Sequence, residues 1–224
     1  MTEKTKIALS AKELELVCNK DWILTKQIII EKVYQLFGEF AATMQQTLMH
    51  KAGALPAEVL AIGPKISKGE NYRMLPYVML DFPRYFTRDA TFAIRTFFWW
   101  GNFFSINLHL SGEYMEGATK SLQRNFNFLQ QLDYSICVNS EPWHHHFEVD
   151  NYVPIKNLTA AAFLDLLSRM PFIKIAKQIN LQQWNAAAQF LEYHFNEMVM
   201  ILEFSFPNDE RDLSPGIPIV GSDL

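Results

Sequence analysis

TFAIRTFFWWGNFFSINLHLS, residues Thr91 to Ser111, is the densest aromatic run of the chain, with two β-prone stretches on either side of Gly101-Asn102. A single strand of that length would far exceed the usual five or six residues. Gly-Asn between such runs predicts a two-residue hairpin turn, because both residues tolerate its backbone angles at low cost. That turn sets Trp100 opposite Phe103 and fixes the register of the pair. One face then carries Phe92, Ile94, Thr96, Phe98 and Trp100 beside Phe103, Ser105, Asn107, His109 and Ser111. The other carries Ala93, Arg95, Phe97 and Trp99 beside Phe104, Ile106, Leu108 and Leu110, and its apolar character assigns it to the core. A one-residue slip in register would exchange these assignments for one strand.

The mixed face offers aromatic walls and a polar strip, the usual make-up of a small-ligand site. Phe98, Trp100, Ser105, Asn107 and His109 are therefore the candidate ligand-binding residues. A half-solvated sheet face with surface aromatics is the plainer account of the same pattern. Arg95 falls on the apolar face and needs an acceptor if buried. Asp81 offers that acceptor, to either Arg84 or Arg95.

Working outward, Val78, Leu80 and Phe82 alternate with Tyr77, Met79 and Asp81, a strand bounded by Pro76 and Pro83. Upstream, residues 53–76 are punctuated by glycine and proline and read as a long loop, a candidate lid. Before it, Ile29, Val33, Leu36, Phe37, Phe40, Met44 and Leu48 recur at helical spacing, predicting an amphipathic helix over about 22–50. Its polar face is not basic, which suits a packed cover helix and not a membrane binder. Ser10 and Glu13 have capping-box spacing and predict a short preceding helix, interrupted near Asn19–Asp21.

Downstream, Met115, Ala118, Leu122, Phe126, Leu129 and Leu132 form a helix face, and Ser135–Asn139 reads as a short strand. Trp143, His145, Phe147 and Val149 alternate with His144, His146, Glu148 and Asp150, which predicts another strand. Leu158–Met170 is helical. Phe172–Ile179 is a strand whose pattern Lys177 breaks. The last helix has the seam Trp184, Ala188, Leu191, Phe195, Met198 and Leu202. Helices alternating with antiparallel-type strands predict an α+β fold, with a largely antiparallel sheet of about five strands centred on the 91–111 hairpin and helices packed against it. Residues 1–206 are expected to form a single domain, followed by a flexible, acidic tail over 207–224.

The 224 residues carry a formal net charge of −4, which argues against nucleic acid as a partner. Residues 65–95 reverse the sign locally, with six basic against three acidic side chains, which suits an anionic small ligand or a scattered solvated surface. Cys18 and Cys137 make neither a disulfide framework nor a metal-type pair, and the polar start MTEKTKIALS predicts no secretory leader. No apolar run reaches the roughly 18–20 residues of a membrane span. These features together predict a cytoplasmic protein without a membrane partner.

No Rossmann, phosphate-loop, nucleophile-elbow or paired-carboxylate pattern is present. On a strand, His144 and His146 would share one face, with Glu148 next in the row. That is the best candidate for a divalent transition metal, and a third ligand would have to come from the fold. No resident cofactor is otherwise predicted. The sequence thus supports a non-catalytic domain that binds a small molecule, or associates with itself or another protein, through its aromatic-rich sheet face. The alternative is a metal-dependent hydrolase or oxygenase built on His144 and His146.

Overall fold

A computed structural model describes residues 7–206 apart from 52, 54 and 204. The acidic tail over 207–224 lies outside the described residues. Seven strands form one sheet, β1 (Lys65–Tyr72), β2 (Leu75–Phe86), β3 (Thr91–Trp99), β4 (Phe103–Ser111), β5 (Ser135–Cys137), β6 (Tyr152–Pro154) and β7 (Phe172–Asn180). Their order across the sheet is β1-β2-β3-β4-β7-β5-β6, and every paired neighbour is antiparallel. Seven α-helices accompany them: α1 (Ala11–Cys18), α2 (Lys20–His50), α3 (Ala57–Leu60), α4 (Glu113–Arg124), α5 (Phe126–Gln131), α6 (Ala160–Arg169) and α7 (Ala187–Leu202). The fold is α+β as expected, with seven strands where five were predicted.

The two extra strands have different causes. β1 lies inside the stretch read as a lid. Its sequence, KISKGENY, lacks an apolar alternation because it is a largely exposed edge strand. β6 is only three residues long. β2 also runs farther than predicted, through both bounding prolines. A register shift between Asp81 and Arg84 lets the ladder pass Pro83, which has no N–H to donate.

The central hairpin forms, but one residue out of the predicted register. Trp99 faces Phe103, and Trp100, Gly101 and Asn102 make a three-residue connection. Asn102 N donates to Trp99 O at 3.0 Å. The predicted two-residue turn needs positive φ at both central residues. Only Gly101 adopts it, at 73°. That turn type occurs instead between β1 and β2, where Arg73 (48°) and Met74 (67°) both take left-handed backbone. For non-glycine residues this is a strained conformation, held by Asn71 Oδ1 accepting from Met74 N at 3.1 Å.

The shift puts Phe92, Ile94, Thr96 and Phe98 of β3 on the same face as Phe104, Ile106, Leu108 and Leu110 of β4. α2 and α7 cover that face. Phe37 of α2 packs edge-on to Phe104 at 6.3 Å, and Phe40 meets Phe195 of α7 at 6.0 Å. Val33, Phe37, Met44, Leu191, Phe195 and Leu202 are completely buried there. Each such side chain contributes about 1.5–3 kcal/mol of transfer free energy. The buried residues of α2 all lie within the eighteen positions from Val33 to His50. The first thirteen, Lys20 to Lys32, contain none.

Candidate functional site

The opposite face of the sheet carries Ala93, Arg95, Phe97 and Trp99 beside Phe103, Ser105, Asn107 and His109. The candidate ligand set is therefore divided. Ser105, Asn107 and His109 lie here, whereas Phe98 is 1% exposed in the helix-covered core, and Trp100 sits in the turn beside Trp22, 6.2 Å between ring centroids. No pocket joining the five exists, because the sheet stands between them.

This second face is covered by Val138–Asn151, which forms neither helix nor strand. The alternation read as a strand over Trp143–Val149 is present neither in pairing nor in burial: His145 and His146 are both buried, and Trp143 and Val149 are exposed. His145 and Phe147 turn down onto the sheet, His145 over Phe97 at 4.7 Å and Phe147 against Phe103 at 5.2 Å. Trp143 lies over the Arg95 guanidinium at 5.5 Å and meets His109 at 5.9 Å.

Four groups fix the shape and position of the cover. Lys174, at the register position opposite His109, is buried and donates to Pro142 O at 2.8 Å and to His144 O. Burial lowers its pKa to about 8. Arg95 makes a bidentate pair with Asp81, Nε to Oδ1 at 2.6 Å and Nη2 to Oδ2 at 3.0 Å, with both side chains under a tenth exposed. Asn151 Nδ2 donates to His146 O at 2.6 Å. The fourth is Tyr72, presented by the strained turn. Its hydroxyl accepts from His145 N (2.6 Å) and His146 N (3.1 Å), which fills both lone pairs. Its one proton is then left for His146 Nδ1 at 2.9 Å. His146 is thereby held neutral with its proton on Nε2. Burial, and Arg73 beside it, depress its pKa, against the pull of Glu148 and Asp150.

Removing the Tyr72 hydroxyl strands two buried amides and a ring nitrogen. Tyr72→Phe is expected to cost about 2–3 kcal/mol and to open the cover to protease between residues 139 and 150. Cleavage mapped by mass spectrometry checks this; wild-type resistance in the variant would show that the cover is held elsewhere.

The predicted metal row is partly assembled. The rings of His144 and His146 are 5.1 Å apart. Among the described residues, the group whose donor atoms converge is His146, Glu148 and Asp150, all within 4.8 Å of one another. Asp150 Oδ1 is 3.3 Å and Glu148 Oε2 3.7 Å from His146 Nε2. Glu148 also takes a 2.9 Å ion pair from Arg73 Nη1. A metal on Nε2 would need that proton removed, the Tyr72 hydroxyl reversed and Arg73 displaced.

Two further regions were not singled out from the sequence. An open cleft of about 710 Å³ runs along one side of α4, past Glu116, Lys120 and Arg124. The second region is the N-terminal arm. None of the twenty-two residues from Ala11 to Lys32 is buried. Ile7, Leu9, Leu14, Leu16, Val17, Trp22, Ile23, Leu24 and Ile28 are nine of the seventeen large apolar side chains strongly exposed among the described residues. The base of the arm is tied to the body by Trp22 against Trp100, by Lys26 Nζ to Glu70 at 2.8 Å, and by Ile29 and Ile30, which are half-buried against the core. Helical spacing could have located the outward face, since Leu24 and Ile28 lie four apart. Exposure itself has no signature in an amphipathic pattern.

Comparison of the chain with protein-family models, with curated proteins and with solved structures gave no match. No helix among the described residues is long and apolar enough to cross a membrane.

Proposed function

We propose that the protein is a non-catalytic interaction domain that engages another polypeptide through its N-terminal arm. The observation that carries this reading is the unburied, apolar span from Ala11 to Lys32. Exposed large apolar side chains concentrated in one segment mark an interaction site. The sheet face, where the aromatic content first pointed, is a less favourable place for a ligand. Its side chains are already occupied by the chain's own cover.

The test places a photoreactive benzoylphenylalanine at position 24 or 28 in cells that make the protein. A covalent polypeptide adduct is expected on irradiation, and none from the same probe at the exposed α7 position 200. Equal or absent labelling at all three positions would sink the reading.

A metal-dependent activity is the second reading, favoured by the convergence of His146, Glu148 and Asp150. It predicts near-stoichiometric metal in untagged protein, measured by plasma mass spectrometry, and its loss in His146→Ala. The Tyr72 and Arg73 contacts weigh against it, and we expect substoichiometric metal in both proteins.

A further inference from the structure

We infer that the polypeptide engaged by the arm is a second copy of this chain, the two arms pairing across a two-fold axis; this rests on the interaction reading above. α1 is the first argument. It is eight residues long, buries no side chain and contains Leu14, Leu16 and Val17. Its capping box, Ser10 with Glu13, closes the first end, and Asn19 N donates to Leu16 O at the other, before α2 begins. Isolated helices shorter than about 12–15 residues are marginal in water, and helices in proteins draw their stability from packing an apolar face. A helix here therefore calls for a partner surface, and the described residues of its own chain offer none.

Size and charge identify that partner. A standard interface takes about 20–30 residues from each side. The twenty-two residues of the arm, together with the body surface beside its base, are of that size. Within them four lysines (12, 20, 26 and 32) balance four acids (13, 15, 21 and 31). The whole chain is at −4, but the arm is neutral, so two arms approach without net repulsion. A strongly basic or acidic partner finds no complementary field there. An anionic membrane surface finds no basic face. A two-fold pair of identical patches is also the commonest closed arrangement of a single chain.

The arm carries its own probe. Cys18 is exposed and Cys137 buried, so a thiol-directed nitroxide labels the arm alone. The experiment is sedimentation equilibrium of the full chain up to roughly 100 µM, a range that reveals any standard-sized stable interface, with dipolar spin-echo spectroscopy of Cys18-labelled protein. The expected result is twice the 26.0 kDa chain mass and a dipolar modulation between the two labels. Leu24→Glu with Ile28→Glu should weaken the dimer at least 100-fold and abolish the modulation. Leu14→Glu with Val17→Glu is the independent variant should the first fail to fold by circular dichroism. A monomer throughout the range overturns the inference. So does a dimer of unchanged affinity in a folded charge variant. Photo-adducts from position 24 to a different protein, with monomeric sedimentation, overturn the second copy and leave the interaction reading standing. Absence of any adduct overturns both.

Discussion

The protein is expected to unfold between about pH 4 and 5, through its buried histidines and before most of its carboxylates titrate. His109 and His194 have pKa values pushed down to about 3 and about 4, in both cases chiefly by burial. His145 is depressed well below the usual imidazole range, and His146 is also lowered. His194 sits against Tyr134, whose hydroxyl is 2.8 Å from Nδ1. These folded-state values lie below the unfolded value near 6.5. Their contribution to stability is therefore fully present above pH 6.5. It is lost as the pH falls from there toward the folded values, because the unfolded chain takes up protons that the folded chain refuses.

His109 and His194 each cost about 1.4 kcal/mol per pH unit over that window. His109 and His194 alone remove about 5 kcal/mol between pH 6.5 and 4.5, a large share of the roughly 5–15 kcal/mol that holds a domain folded. Urea unfolding followed by circular dichroism at several pH values measures the slope. His109→Asn should flatten it by about one proton. A wild-type slope below one proton between pH 6.5 and 4.5 would show that these rings are more accessible to solvent than their packing indicates.

The second large effect is at the Arg95–Asp81 pair. Asp81→Ala leaves a guanidinium buried beneath Trp143 without its carboxylate, and is expected to destabilise by about 3–5 kcal/mol. Asp81→Leu combined with Arg95→Met removes both charges and should restore most of that loss. Four chemical denaturation curves close this double-mutant cycle. A single-variant cost below about 1 kcal/mol would mean that water reaches the guanidinium under the cover.

The same pair shows what the sequence could and could not convey. Arg95 reads as a buried cation in want of an acceptor because it interrupts an apolar face, and Asp81, on the mixed face of its strand, reads as a partner for Arg84 or Arg95. The long helix was legible for a similar reason, its apolar spacing persisting from Ile29 to Leu48. β4 was assigned its correct core face, but β3 was not. Its orientation hung on one turn residue, and Asn102 does not take the positive φ that the shorter turn requires. Phe98 and Trp100 consequently left the predicted ligand set.

The cover over Val138–Asn151 misled in a different way. Its residues alternate apolar and polar as a strand's do, but it crosses the sheet as a loop that buries His145 and His146 together and leaves Trp143 and Val149 exposed. Tyr72 and Lys174, which fasten it, gave no signal. One belongs to an edge strand without alternation, and the other to a strand whose facing loop is thirty residues away in sequence. The arm was invisible for the opposite reason, since an apolar stripe does not disclose whether anything covers it.

The two margins of the sheet bear on how the chain behaves when crowded. An open strand edge is a template for adding another chain and growing a fibre. β6 ends after three residues at Pro154, which has no N–H to offer. β1 is twice interrupted as a template, by exposed charge at Lys65 and Glu70 and by the irregular register between Gly69 and Tyr72. Edge-to-edge stacking is thus discouraged at both sides. A concentrated solution should remain free of thioflavin-positive fibrils, and replacing Lys65 and Lys68 by valine should shorten the time before they appear.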